Sequence, residues 1–406
     1  MASLNGFIRR SPPDRLRRYL EARRVEIGDD FDWNSYGLQK DYLKAVSTLL
    51  SELPDRHQDR VRAELDLLAH LSDDKGMQGT DRVCAGQEID LEGLEGKEDT
   101  LLMIAIEHPQ LLDRIALEAS LVRRYGGRDW AAFQFLEDGN PWGLDDDDAR
   151  AEFLGDAVSI LNLPAHRKRD DDWYKTIRVD PVTGEETEIV QATIYLEERA
   201  ESELAFGSSA SLERRIVPKV LEVGISCIPR DRVIEVCAKG GKKTRDRYAE
   251  AFAKRFAPQS KMPVEIPRRD VLLNVLSHAP EFDIEPADGI ARVEVSSLDF
   301  ISHGGGFTRI ERRGEGETIY QFITRRFGGY SPLTSSGWEI WGATLRIVLA
   351  PTEGLRSKTL TVTLKRPNTT TLPNKTERDR QFVLKLLERW KLIAPSPQDD
   401  NVIEAA

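Results

Sequence analysis

The chain has 406 residues, 40% of them hydrophobic and 31% charged, with a formal net charge of −11. That length exceeds what one ordinary core organises and points to two or three domains. The charge is too high for a membrane-embedded protein, and no run approaches the roughly 18 uncharged apolar residues of a spanning helix.

The start, Met1-Ala-Ser-Leu-Asn-Gly-Phe-Ile-Arg-Arg, carries neither an apolar core nor a small-residue cleavage site, so Sec-type export is not expected. Cys84, Cys227 and Cys237 are scattered, with neither disulfide-framework nor metal-ligand spacing. They read as small buried hydrophobes of a protein in a reducing, cytoplasmic setting. The charge is uneven: residues 1–160 sum to −13, 161–280 to +2 and 281–406 to zero. Within the back half, 211–280 carry +7 and 321–391 carry +8, so the average hides two basic stretches.

The front reads as successive helices. Ser11 before Pro12 and Pro13 starts one through Leu16, Tyr19 and Leu20. Apolar residues at helical spacing recur at Tyr42, Leu43, Val46, Leu49 and Leu50, then at Val61, Leu65, Leu68 and Leu71. Pro109 splits a further pair, closed by Gly126-Gly127, and Asp145 to Asp148 open one more through Phe153, Ala157 and Leu161.

Near residue 176 the apolar period changes from 3.6 to 2. Asp180-Pro-Val-Thr-Gly184 supplies a hairpin turn, with alternation continuing to Tyr195. Strands follow at 233–237, 291–295, 343–349 and 359–364, and helices at 245–256 and 376–391. Two strand pairs precede basic amphipathic helices (Thr244-Arg-Asp-Arg and Glu377-Arg-Asp-Arg), which suggests two ββα-like units. The expected fold is multidomain, an all-α N-terminal domain followed by an α+β C-terminal region. The boundaries are an acidic helical domain at 1–162, a charged linker at 163–175, α+β regions at 176–262 and 263–393, and a tail at 394–406.

Familiar catalytic motifs are not completed. Gly240-Gly-Lys-Lys-Thr244 lies between a strand and a helix, but Val236 stands where a phosphate loop needs its first glycine, and Lys243 follows Lys242 where Ser or Thr is required. A strand-to-helix turn explains it better, with a non-specific anion contact as the intermediate reading. Ser302-His-Gly-Gly-Gly306 resembles an esterase oxyanion loop in composition only, because the chain has no Gly-x-Ser-x-Gly elbow. The runs at 145–148 and 170–172 lack calcium-loop spacing and read as a helix cap and a solvated segment. No metal ligands follow from His57, His70, His108, His166, His278 and His303, which are far apart. Trp338 and Trp341 read as strand-borne aromatics.

The basic faces remain. At about 100° per residue, Lys243, Arg247 and Lys254 share one side of a helix whose other side carries Tyr248, Phe252 and Phe256. The last helix repeats this with Arg378, Lys385 and Arg389 opposite Val383, Leu386, Leu387 and Trp390. Lys242, Arg356, Lys358, Lys365, Arg366, Asn368 and Lys375 lie around them. These side chains suit a phosphate backbone, contacted without reading its sequence. They equally suit an acidic protein surface, including the acidic front. The expectation is a non-enzymatic binding or adaptor protein without cofactor, metal or membrane. A protein–protein component of a larger assembly, or an enzyme with no familiar motif, stands as the alternative.

Overall fold

The computed structural model describes residues 3–28, 31, 33, 39–136, 142–180, 183–206, 211–312, 316–351 and 357–395. It divides into two compact units, Met1–Ile266 and Pro267–Ala406.

The first unit opens with α1 (Leu4–Arg10), α2 (Pro13–Ala22), α3 (Gln39–Ser51), α4 (Asp55–Leu71), α5 (Asp74–Gly86), α6 (Lys97–Glu107) and α7 (Leu112–Arg124). Pro13 occupies the first turn of α2, where a missing amide hydrogen costs nothing. Ser3 caps α1, and Asp73 caps α5 by accepting from the Gly76 amide at 2.7 Å. Their apolar faces close one core around Phe7, Leu16, Tyr19, Leu65, Leu101 and Ile115.

Next come β1 (Trp130–Gln134), α8 (Asp147–Ile160), β2 (Arg169–Val179), β3 (Glu186–Glu197), β4 (Glu201–Phe206), β5 (Leu212–Val217), β6 (Val220–Ile228), β7 (Val233–Cys237), α9 (Lys242–Phe256) and β8 (Val264–Glu265). Six of these strands form an antiparallel sheet in the order β2-β3-β6-β7-β1-β8. One face is apolar: Ala192, Ile194, Val223, Ile225, Ile234 and Val236 pack with Phe153 of α8 and Tyr248, Phe252 and Phe256 of α9. Helix α5 lies against β2 and α7. Its close approach depends on glycine, since a Cβ on Gly86 would sit 2.3 Å from the Lys175 carbonyl oxygen and one on Gly79 2.6 Å from the Ala119 nitrogen.

Three expectations need correction. The segment 163–175 is not a linker, because β2 starts at Arg169 and pairs along its length with β3. The front is not wholly helical, because Trp130–Gln134 is a strand held between β7 and β8. Through that strand the helical front and the first strand-rich region share one compact unit, which ends at Ile266.

The second unit holds β9 (Ile290–Ser302), β10 (Phe307–Glu311), α10 (Ile319–Phe327), β11 (Trp338–Leu349), β12 (Thr359–Lys365), β13 (Thr369–Thr370) and α11 (Glu377–Arg389). Its antiparallel sheet runs β10-β9-β11-β12-β13. Leu298, Phe300, Leu345, Ile347, Val362 and Leu364 form its core with Ile323, Val383, Leu386 and Leu387. A capping box of Thr318 and Gln321 starts α10, and Thr376 caps α11. The helices are thus mostly N-terminal and the antiparallel sheets C-terminal, an α+β, multidomain layout. No helix among the described residues is long and apolar enough to cross a membrane.

Candidate interaction surfaces

The basic faces are less open than their spacing suggests. Arg247, on the outer stripe of α9, donates to the Ile160 carbonyl at 2.7 Å and to that of Ser159 at 3.3 Å. It thereby satisfies the carbonyls left at the C-terminal end of α8. Lys242 pairs with Glu265 and, at 3.6 Å, with Asp246. In the second unit Lys358 holds Asp379 at 2.8 Å, and Arg366 contacts Glu339 and, at 2.6 Å, Asn274. Arg389 meets Asp288 at 2.7 Å and Glu285 at 3.5 Å. Burial alone would raise the Asp288 carboxyl, but Arg389 and the Glu285 amide outweigh it and hold its pKa below the ordinary range.

Lys243, Lys254, Lys365, Arg378 and Lys385 are exposed and make no ion pair among the described residues. Lys375 is half-buried, and Arg356 lies outside the described residues. Asn368 is half-buried beside β13.

The other motifs have local explanations. Gly240 and Gly241, at φ +109° and +81°, make the turn into α9, and the Thr244 hydroxyl donates to the Gly240 carbonyl at 3.0 Å. Ser302 to Gly306 turn β9 into β10, with the Ser302 hydroxyl accepting from the Gly306 amide at 2.8 Å. Asp146 caps α8. Asp172 takes two hydrogen bonds from Arg114, at 2.8 and 2.9 Å. Among the described residues no three His, Cys, Asp or Glu side chains converge to hold a metal.

Sequence spacing misses a buried polar cluster in the first unit. The Arg82–Glu118 pair, at 3.0 Å, joins α5 to α7, with side chains 9% and 4% exposed. Arg178 of β2 reaches Glu235 of β7 through two hydrogen bonds of 3.0 and 3.1 Å. These four side chains, with Tyr125, Trp130, Ser226 and Cys237, line a cavity of about 10 Å³. Such a volume holds about one water. Alternation in β2, β3 and β6 places Thr176, Gln191 and Ser226 opposite the apolar face, and Ser226 donates to Gln191 at 2.7 Å.

The second missed feature is at the surface. The last pair of the β3–β6 ladder is Glu197↔Val220, and the chain between those residues runs out as a separate two-stranded ribbon, β4–β5. Its register pairs Ser202 with Ile216, Leu204 with Arg214 and Phe206 with Leu212. Glu201, Glu203 and Ala205 pair with Val217, Arg215 and Glu213. Paired residues share a face and successive residues alternate. One face therefore carries Leu204, Phe206, Leu212 and Ile216 around Arg214, and the other carries Glu201, Glu203, Glu213 and Arg215. The four apolar side chains are 59–77% exposed. The sequence does not announce it, because Glu-Ser-Glu-Leu-Ala-Phe at 201–206 and Leu-Glu-Arg-Arg-Ile-Val at 212–217 show no strict alternation of apolar and charged residues.

Comparison with family models, curated proteins and solved structures gives no match.

Proposed function

We propose that the chain is a protein-binding component of a larger assembly and that the β4–β5 ribbon is its docking surface. The observation that carries this is the apolar face of Leu204, Phe206, Leu212 and Ile216, which among the described residues packs against no core of its own unit. An isolated two-stranded ribbon is marginal in water, and its open edges invite a further strand. Covering each of those side chains offers about 1–2 kcal/mol. The test is to pan a displayed library of random peptides on the full chain. Peptides that bind the wild type and lose binding to a Leu204→Ser/Ile216→Ser variant support the proposal. Peptides that bind both proteins equally place the docking surface elsewhere.

A second reading, nucleic-acid backbone contact, rests on the exposed Lys243 and Lys254 of α9 and Arg378 and Lys385 of α11, which make no ion pair among the described residues. The antiparallel pairs β6–β7 before α9 and β11–β12 before α11 support treating these helices as parts of two ββα-like units. Binding of the full chain to duplex DNA should then fall steeply with salt, as counterions released per phosphate contact require. Lys243→Glu/Lys254→Glu should weaken it uniformly across sequences. No gel shift at low salt ends this reading.

A further inference from the structure

We infer that the partner of the ribbon adds to the free edge of β5 as an extended segment reading apolar-x-acidic-x-apolar; this rests on the ribbon being the docking surface. Among the described residues strand β5 pairs only with β4, in a two-stranded sheet that leaves its other edge open. Along that edge Leu212, Arg214 and Ile216 point to the apolar face, two residues apart. An added strand sets its own residues i−2, i and i+2 beside these three. The outer positions meet Leu212 and Ile216 and should be apolar. The central position meets Arg214, which is exposed and makes no ion pair among the described residues. Covering that face withdraws the guanidinium from water, which is costly unless a carboxylate comes with the partner.

The same face argues against a second copy of the chain. Its side chains are Ser202, Leu204, Phe206, Leu212, Arg214 and Ile216, with no carboxylate among them. A copy stacked or paired through this face brings another Arg214 and no acid to neutralise either. An anionic membrane fits poorly as well, because this face offers it a single cation, Arg214, and the whole chain carries −11.

The test uses the full chain and two labelled peptides, alike except for a core of Leu-Ser-Glu-Ser-Leu or Leu-Ser-Lys-Ser-Leu, read by fluorescence anisotropy. The acidic peptide should bind the wild type at least about tenfold more tightly than its lysine twin. Arg214→Glu should reverse that preference, and Arg214→Leu should erase it. These positions are exposed, so an unchanged circular dichroism spectrum is the control for folding. Equal binding of both peptides, no binding of either, or a preference unaltered by Arg214→Glu overturns the inference. Library peptides that need Leu204 and Ile216 but lack the acidic position would overturn it while leaving the ribbon as docking surface. If acidic-peptide binding survives Leu204→Ser/Ile216→Ser, both fail. Two further results also overturn it: a dimer in sedimentation that Ile216→Ser abolishes, which names a second copy, and flotation with phosphatidylserine vesicles that Leu204→Ser abolishes, which names a membrane.

Discussion

Arg82 and Glu118 face each other at 3.0 Å between α5 and α7, and the second carboxylate oxygen of Glu118 has no hydrogen-bond partner among the described residues. Both side chains are nearly excluded from solvent, so the Glu118 carboxylate relies on Arg82 for compensation. Arg82→Met strands the Glu118 carboxylate in the interior and should cost roughly 3–5 kcal/mol. Replacing both partners together, as Arg82→Met/Glu118→Leu, removes both desolvation penalties and should cost much less than either single change. Urea unfolding of Arg82→Met, Glu118→Leu and the double variant checks this. A double variant as unstable as the sum of the singles would show that the pair does not act as a unit.

The glycines of α5 and α8 should respond in opposite directions. Gly86 and Gly79 touch backbone atoms of β2 and α7, which cannot swing away as a side-chain tip can. Gly86→Ala or Gly79→Ala should push α5 off its neighbours and cost roughly 1–3 kcal/mol. Gly155, within α8, has open space where a Cβ would go. Gly155→Ala should stabilise by about 0.5–1 kcal/mol, because alanine loses less backbone entropy in a helix. Thermal melts of the three single variants decide it, and a stabilising Gly86→Ala would refute the close packing of α5 on β2.

How much of this was legible in the sequence depends on what each signal encodes. Helix α9 was readable because Tyr248, Phe252 and Phe256 repeat at helical spacing, and all three are buried. Strand β1 was not, because five residues, Trp-Ala-Ala-Phe-Gln, carry too short a pattern; Cys237 to Val233, paired opposite, make it a strand. The cationic stripe of α9 had the right direction but not its contacts. The acceptors of Arg247 lie on α8, about ninety positions away in the chain, and no local period reports that. The polar cluster was invisible for the same reason, since Arg82, Glu118, Arg178 and Glu235 come from four separate elements. The ribbon was hidden as well, because Glu201 to Phe206 and Leu212 to Val217 do not alternate strictly, and only the pairing of the two strands sorts Leu204, Phe206, Leu212 and Ile216 onto one face.

The three cysteines should be inert in the native chain. All are free and buried. Burial, with the nearby Asp81 carboxylate adding to it, pushes the Cys84 thiol up to about 12, and burial raises Cys227 and Cys237 as well. Only the thiolate attacks disulfide reagents, so reaction with Ellman's reagent near neutral pH should be negligible until denaturant is added. Three thiols should then titrate together. A fast native reaction at any one of them would refute its burial.

Acidification should weaken the start of α5 through Asp73. Burial alone would raise this carboxyl, but the Gly76 amide and the Arg123 guanidinium, at 2.7 and 2.9 Å, outweigh it and hold its pKa below the ordinary value. A carboxyl depressed in the folded state contributes its full stability above its unfolded pKa, and that contribution is lost as pH falls through the folded value. The loss should therefore begin near about pH 4, where an unperturbed aspartate starts to protonate, and be complete below the folded pKa. Asp73→Asn keeps a side-chain oxygen for the cap and removes only the charge. Because Asp73 is partly exposed, solvent screening limits the difference at pH 7 to about 0.5–1 kcal/mol. Urea unfolding of wild type and Asp73→Asn at neutral and acidic pH measures that gap. It should close as the pH drops, and a gap that stays constant or widens would mean that the carboxylate charge is not what anchors α5.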